Sequence, residues 1–472
     1  MNWKTIFKSL KNNDMRKRLL VVLGLVVVYR FLAHIPVPLA SPSEMKDVIN
    51  SVVNGSDFGG FLNLLSGGAL ASFSIVLVGL SPFITASVIT QLLTKAIPRL
   101  EELHKDGESG RRKIQQWTRI ITVPLAIVQS IAFIFILRQS VLAGNTTSAL
   151  NHTSLIEWIV AVTAMTTGSI LLMWLGEIIT EQGIGNGLSL LIFAGIVSQT
   201  PQTLQTIGAS LTDTSSAGKL DVFGWFQLPI NPLAFWVVLA MAAASLIVLY
   251  ILVKINEAQR IITINYAKRV QGNSSYGGVK SILPMKLIAA GVIPVIFAVA
   301  FLSLPAFIGQ VFKATGNENL QQLGTNLVTW FQTPNPGSFT GSTAQAFIYP
   351  TLYFLLVIAF TYFYTGIVFN SNEIAENLQK QGGFIEGVRP GEQTEKYLSR
   401  TMNRLILFGS IVLGVIAVLP YIAEYLLYQI AGVQNSNLAI GGTGVLIVVS
   451  VALESLRQIN SRALMVTYDD YK

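Results

Sequence analysis

The stretch G-L-S-P-F-I at 79–84 recurs as G-V-I-P-V-I at 291–296, and both copies read G-x-x-P-x-I. The copies lie in the second and the seventh of ten long apolar segments. A fainter pair, I-G-N-G (184–187) and I-G-G-T-G (440–444), enters the fifth and the tenth segments. Matches that lie five segments apart predict that the chain is a repeat of two five-segment halves. Because five is an odd number of spans, the second half starts on the opposite side of the membrane and is inverted relative to the first.

The gaps between the apolar segments differ in their basic content. One alternate set of gaps holds 26 of the 32 Lys and Arg residues, the other set holds 3, and Arg30, Arg119 and Arg138 lie within or at the ends of segments. This is the positive-inside pattern of a multi-pass membrane protein, and it predicts that both termini are cytoplasmic. The segments are centred near Val26, Ala86, Ile127, Ala164, Leu191, Ala242, Ile293, Leu356, Gly414 and Val448.

The composition agrees with a membrane protein. The chain is 51% hydrophobic and 12% charged, whereas soluble domains carry about 25% charged residues. Its net charge of +8 lies mainly in the predicted cytoplasmic loops, where it suits anionic lipid, RNA phosphate or an acidic protein. The chain has no cysteine, which excludes disulfides, iron–sulfur clusters and thiolate zinc sites.

The segments divide the chain into five parts. In the first part Trp3, Ile6, Phe7 and Leu10 share one helical face, which favours either a helix on the inner membrane surface or an unstructured basic leader. The parts are a cytoplasmic amphipathic N-terminus (1–18), an N-terminal half with spans 1–5 (19–208), an outer hinge loop (209–231), a C-terminal half with spans 6–10 (232–458) and a cytoplasmic tail (459–472).

The apolar stretch around the second span is too long for one crossing. S-G-G-A at 66–69 interrupts it. We expect a half-helix over 61–70 that enters from outside, then a turn and a full span from about Ser72 to Leu93. A half-helix at membrane depth must be shielded by protein or water, which predicts a plug; the alternative is a surface helix on the outer face.

Glycine and proline in a membrane helix free backbone groups that protein or cavity water must satisfy. The G-x-x-P-x-I copies therefore suggest that segments 2 and 7 line something central, and the alternative is an ordinary kinked helix. Branched side chains follow these Gly/Pro features in four segments. A ring of them would resist ions by dewetting and would suit a chemically varied passenger; the alternative is ordinary core packing. The residues are Leu80, Ile84, Leu188, Ile192, Ile296 and Ile447.

Residues for catalysis do not form a recognisable pattern. The chain lacks G-x-x-x-x-G-K-[ST], H-E-x-x-H and G-x-S-x-G, and His34, His104 and His152 are scattered. The G-I-G-N-G run at 183–187 resembles a phosphate loop but is better explained as a tight inner turn. No carboxylate pair lies at mid-depth, where ion-coupled transporters place ionisable groups. We expect no enzymatic activity, catalytic residue, metal or cofactor.

Seven runs of sequence, in this order and spacing, closely resemble the bacterial SecY family of protein-translocation channels. The resemblance covers about 17–458. The runs are S-G-G-A-L (66–70), G-E-S-G-R-R-K-I (107–114), W-L-G-E-I-I-T-E-Q-G-I-G-N-G (174–187), N-Y-A-K-R (265–269), A-G-V-I-P (290–294), G-V-R-P-G-E-Q-T (387–394) and G-G-T-G-V-L-I-V-V (441–449).

The resemblance implies an all-α polytopic membrane protein with ten transmembrane helices in two inverted five-helix halves. These halves form a clamshell around a re-entrant plug. Such a channel passes unfolded secretory polypeptides outward and releases hydrophobic segments into the lipid. The implied hinge is the loop between spans 5 and 6, and the implied lateral gate opens between spans 2 and 3 on one side and spans 7 and 8 on the other.

The resemblance also implies site residues. The implied pore ring is the six branched residues named above. The implied lateral-gate residues are Thr85, Gln91, Gln129 and Pro294. The residues implied to dock the motor or the ribosome are Arg260, Lys268, Arg269 and Arg389. The family commonly has a pair of basic residues where this chain has Gln259-Arg260. The implied plug residues are Phe61, Leu64, Leu65, Ser66, Gly67, Gly68 and Leu70.

Partners are implied in the same way. They are the small subunits SecE and SecG, the motor ATPase SecA, the ribosome through rRNA contacts, signal peptides, nascent membrane proteins and anionic lipids. The implied location is the bacterial cytoplasmic membrane. Two other classes remain as alternatives, namely an inverted-repeat secondary transporter of a small solute and an intramembrane enzyme such as a lipid transferase or protease. The chain lacks the mid-membrane charges that a transporter of the first class needs. It also lacks the His, Asp or Ser constellation at depth that an intramembrane enzyme needs.

Overall fold

The computed structural model of the protein describes most of the chain. The predicted plug (61–70), the first twelve residues and Lys268 lie outside the described residues. The described ranges are 13–38, 73–143, 155–212, 220–222, 226–228, 232–266, 269–271, 274–276, 280–288, 291, 293–313, 318–331, 343–431 and 440–469.

Helices dominate both predicted halves. The N-terminal half contains α1 (Asn13–Leu32), α2 (Ser81–Ala96), α3 (Pro98–Lys105), α4 (Glu108–Ala143), α5 (Leu155–Gln182) and α6 (Gly187–Thr212). The C-terminal half contains α7 (Pro232–Glu257), α8 (Ile293–Lys313), α9 (Glu318–Phe331), α10 (Thr343–Val368), α11 (Ser371–Lys380), α12 (Glu392–Ala431) and α13 (Ile440–Asp469). Each of the ten predicted segment centres falls within one of these helices.

Six helical stretches within the described residues are long and apolar enough to cross a membrane. Large apolar side chains on them remain exposed, as expected where lipid is the solvent. The stretches are Glu108–Phe135, Leu155–Gln182, Phe235–Glu257, Ile293–Lys313, Phe347–Lys380 and Glu392–Ala423.

The repeated G-x-x-P motif starts a helix in both halves. Gly79 and Gly291 each have φ of 62°, a left-handed conformation that glycine adopts without steric cost. Pro82 and Pro294 then stand in the first turns of α2 and α8, where a missing N–H costs nothing. The expected span start near Ser72 is therefore wrong, because 73–80 form turns and α2 begins at Ser81. The kinked-helix alternative is wrong for the same reason.

Short strands occur in the loops, which the all-helical prediction did not include. Strand β1 (Leu220–Val222) pairs with β2 (Phe226–Leu228), and β4 (Arg269–Gln271) pairs with β5 (Ser274–Tyr276). The larger sheet has the order β6–β3–β7 and is antiparallel. It contains β3 (Gln259–Tyr266), β6 (Lys280–Lys286) and β7 (Gly383–Ile385).

This sheet joins two loops that are distant in sequence. Strands β3 and β6 belong to the loop between spans 6 and 7, and β7 belongs to the loop between spans 8 and 9. The face of the sheet carrying Ile262, Met285 and Ile385 packs on the start of α12, where Leu398 and Met402 are buried. The two predicted cytoplasmic loops are therefore one packed unit.

The two halves meet along a small number of helices. Helix α8 contacts α2 and α4, and on another side α6 contacts α7 and α13. Helices α2 and α4 contain the predicted spans 2 and 3, and α8 contains span 7. The boundary expected for a lateral gate is thus a contact between the halves.

Candidate functional site

The boundary between the halves encloses one continuous apolar cluster. Its buried members come from α1, α2, α5 and α6 on one side and from α7, α8, α10, α12 and α13 on the other. Five residues of the predicted ring belong to this cluster, and the sixth, Leu188, packs against it. The structure therefore brings together side chains that are up to 367 positions apart in the sequence, from Leu80 to Ile447.

Five of the six ring residues are buried. Leu80, Ile84 and Ile192 are at most 4% exposed, and Ile447 and Ile296 are 5% and 8% exposed. Ile84 and Ile296 occupy the same place in the two G-x-x-P-x-I copies, each in the first turn or just after it. The repeat thus places one residue of the predicted ring in each half by the same local geometry.

Leu188 has a different environment from the other five. It is half-buried, and its side chain lies over Gly176 of α5 in its own half. Gly187 also approaches the backbone of Gly176 closely, so α6 starts directly against α5. Leu188 packs on the edge of the apolar cluster.

The turn that precedes Leu188 is the tight turn expected for 183–187. The Asn186 side chain accepts hydrogen bonds from the N–H groups of Leu188 (3.1 Å) and Ser189 (3.4 Å), which caps the first turn of α6. The Thr180 hydroxyl accepts a hydrogen bond from Gly187 N at 2.9 Å and donates one to Gly176 O at 2.8 Å. These bonds fix the position from which α6 enters the cluster.

The predicted gate residues lie on helices that meet between the halves. Thr85 of α2 and Gln129 of α4 are buried, and Pro294 of α8 is buried in the other half. Gln91 Nε2 donates to Ser87 Oγ at 3.0 Å, while its buried Oε1 finds no hydrogen-bond partner within the described part of the chain. A buried amide oxygen without a hydrogen-bond partner costs about 1–3 kcal/mol.

Three of the four predicted docking residues lie in described parts of the two loops that the sheet joins. Arg260 is exposed on β3 opposite Met285, and Arg389 is exposed in the loop that follows β7. Arg269 is on β4, and Lys268 is outside the described residues. The Thr394 hydroxyl donates to Arg389 O at 2.9 Å, which fixes the backbone on which this guanidinium is displayed.

A polar group next to this sheet was not anticipated from the sequence. Arg457 of α13 donates to Asn256 O, and Asn256 Nδ2 donates to Ser450 Oγ at 3.1 Å, which ties α13 to the end of α7. Burial lowers the pKa of Lys286 at the end of β6, and the charge of Arg457 lowers that pKa further, while Glu454 opposes both. Lone polar residues at span ends were visible in the sequence, but their partners were not.

A partly buried ion pair lies inside the N-terminal half. Arg119 Nε on α4 lies 2.8 Å from Glu177 Oε1 on α5, and Gln115 Nε2 donates to the same oxygen at 3.2 Å. The Glu177 side chain is 10% exposed, so this pairing satisfies a largely buried charge. Among the described residues no group of three or more His, Cys, Asp or Glu is placed to hold a metal ion.

The chain matches known proteins over nearly its whole length. The family model described as SecY matches residues 74–456. Protein translocase subunit SecY of Streptomyces scabiei is 38% identical, and that of Corynebacterium glutamicum is 39% identical. In both cases the match covers 98% of this chain and 98% of the relative.

Solved structures give the same fold. A structure described as that of a protein conducting channel has a TM-score of 0.59 at 20% identity, and canine Sec61 in a ribosome–channel complex has a TM-score of 0.58 at 18% identity. Each likeness covers 94% of this chain and 91% of the solved chain.

The fold and the site define a multi-pass helical membrane protein whose two related halves enclose an apolar cluster. Among such proteins, this chain belongs to the SecY family. The expectation drawn from the seven sequence runs is confirmed.

Proposed function

We propose that the chain is the protein-conducting channel through which unfolded secretory polypeptides cross the cytoplasmic membrane of a bacterium, and which releases hydrophobic segments sideways into the bilayer. The observation that carries the proposal is the apolar cluster between two halves that touch along α2, α4 and α8, in a chain of the SecY family. A small-solute transporter, the alternative, is not supported by these relatives.

The proposed constriction is the ring of Leu80, Ile84, Leu188, Ile192, Ile296 and Ile447. Branched aliphatic side chains repel water and ions from a narrow pore, and they bind no particular passenger side chain strongly. Separation of α8 from α2 and α4 would open a path from this ring to the lipid. We assign the plug role to 61–70 and the gate roles to Thr85, Gln91, Gln129 and Pro294.

Partition between water and lipid accounts for sideways release. An apolar residue gains about 0.3–0.6 kcal/mol at mid-membrane, and a charged residue costs about 2.5–3.5 kcal/mol. A passenger run of about 20 apolar residues therefore leaves through the gate, while a polar chain continues across. No catalytic residue of the chain is needed for this sorting, so the work comes from a motor ATPase or from ribosomal synthesis.

The proposed partners follow from the exposed basic loops and from the family. We assign docking of SecA and of the ribosome to Arg260, Lys268, Arg269 and Arg389. SecE and SecG are the proposed small subunits, signal peptides and nascent membrane proteins are the passengers, and anionic lipids face the positive loops. The proposed arrangement has both termini in the cytoplasm, spans 1–5 in 19–208, the hinge in 209–231 and spans 6–10 in 232–458.

Site-specific crosslinking tests the proposal. A photo-crosslinker is placed at Ile84, Ile192 or Ile296, and a stalled secretory precursor is trapped in inverted membrane vesicles with SecA and ATP. We expect crosslinks to the precursor from all three positions. The matched control is Leu246 on α7, which is 66% exposed and outside the cluster. Absence of crosslinks at the ring, with uptake of a small solute instead, would favour the transporter.

A further inference from the structure

Helix α9 is held against α8 by two glycines that face each other. A Cβ on Gly309 would lie 2.9 Å from Gly324 O, and a Cβ on Gly324 would lie 2.6 Å from Gly309 O. Both distances are shorter than Cβ contacts in proteins allow, so the backbones touch because neither residue has a side chain. Helix α9 follows α8 after the four residues 314–317 and folds back along its last turns.

The position of α9 along α8 is set by chain order. Strand β6 precedes α8, and α9 follows it, so α9 lies at the end of α8 that is remote from the sheet. Gly324 and Val328 of α9 are buried against α8. The rest of the helix is uncharged apart from Glu318 in its first turn.

The solvent side of α9 has an apolar edge and a polar edge. Leu323 is 55% exposed and Trp330 is 46% exposed, and residues seven apart lie on one side of a helix. Gln321 and Thr325, on the opposite edge, are also exposed. None of the described residues covers this apolar edge.

The apolar edge of α9 continues the exposed face of a membrane-length helix. On α8, Phe301 and Ile308 are 42% and 46% exposed and are also seven apart. Ile308 directly precedes Gly309, and Leu323 directly precedes Gly324. In two antiparallel helices, the residues that precede a facing pair lie on the same side of the contact, because each step turns about 100°. The exposed apolar side chains of the two helices therefore form one strip, in which Leu323 lies near Ile308 and Trp330 lies toward Phe301.

We propose that lipid covers this strip, so that α9 packs lengthwise along the end of α8 that is remote from the sheet, with Leu323 and Trp330 facing the bilayer. Tryptophan is enriched near the ends of membrane spans. The lipid is the occupant because the strip is continuous with the lipid-facing side of α8. Since the glycine contact fixes α9 to α8, the lipid surface then anchors the helix that meets α2 and α4.

The absence of cysteine from the chain allows a direct test. Single variants Leu323→Cys, Trp330→Cys and Gln321→Cys of the full chain are labelled with a nitroxide and placed in vesicles of phosphatidylethanolamine and phosphatidylglycerol. Collision of each label with oxygen, which concentrates in lipid, is compared with collision with a water-soluble nickel complex. We expect the oxygen-to-nickel ratio at 323 and 330 to exceed the ratio at 321 severalfold.

Two outcomes would overturn the proposal. Equal ratios at 323 and 321, with strong nickel collision at both, would place the whole helix in water. Protection of 323 and 330 from both reagents would mean that protein covers the strip. Because no passenger polypeptide is present, either outcome leaves the crosslinking test of the channel function unaffected. The three positions are exposed, so the labels do not replace core residues.

Discussion

At Gly291 the backbone conformation, and not the available space, limits which residue fits. The φ of 62° is left-handed, and a Cβ added there would meet only Glu454 Oε2, at an ordinary 3.5 Å. The same φ at Gly79 shows that the requirement is repeated in the other half. A sequence shows a glycine at such a place, but only the backbone shows that its left-handed conformation is used to start a helix.

Replacement of Gly291 by alanine should lower the free energy of unfolding by about 1–2 kcal/mol, because an L-residue pays that cost in the left-handed region. Gly291→Asn should lower it less, because asparagine tolerates this region better. Thermal unfolding in detergent, followed by circular dichroism, measures both. The control is Gly208→Ala within α6, where no atom lies within 4 Å of the added Cβ. An equal loss in Gly208→Ala would contradict the explanation.

At the scale of elements, α12 connects the membrane part to the sheet. Its first turns bury Leu398 and Met402 against Ile262, Met285 and Ile385 of three different strands. The helix contains 40 residues, which is more than one membrane span needs. The extra turns at its start pack against the sheet. Neither strand β3 nor its pairing with β7 was predicted from the sequence.

Leu398→Ala should loosen the sheet without unfolding the membrane helices. Leu398 is 0% exposed, and truncation of a buried leucine costs about 2–5 kcal/mol. Hydrogen exchange at the amides of 259–266 and 280–286 measures the loss of protection. The control is Leu407→Ala in the same helix, which is 54% exposed and should leave this exchange unchanged. Unchanged exchange in Leu398→Ala would mean that the sheet is held by other contacts.

At the scale of the whole molecule, the sheet makes the two basic loops one surface. Arg260 and Arg389 are displayed from loops that are more than 100 positions apart and are joined by β3 and β7. A partner with a negative surface can therefore contact both loops at once. For the proposed docking role, this strand pairing favours contacts at defined positions over diffuse attraction by the net charge.

Charge reversal at Arg389 should weaken docking of ribosomes to vesicles that contain the chain. A lost hydrogen bond to a charged group costs about 1.5–3 kcal/mol, which corresponds to about a tenfold or greater loss of affinity. Co-sedimentation at several salt concentrations measures the effect. Lys396→Glu is the matched control, since Lys396 is exposed, lies in α12 close to the same loop and undergoes the same change in charge. An equal loss in both variants would indicate diffuse attraction only.

The sequence by itself determined the class of membrane protein, the ten segment centres, the repeat and the family. These depend on the transfer free energy of contiguous residues and on short motifs, which are local properties. Tertiary structure alone decided that Gly79 and Gly291 adopt left-handed conformations just before two helices, that Leu188 packs over Gly176, and that Arg119 pairs with Glu177. It also decided the joining of β3 to β7 and the packing of α9 on α8. Each of these is a contact or a backbone conformation whose free energy depends on what the rest of the chain brings to that place.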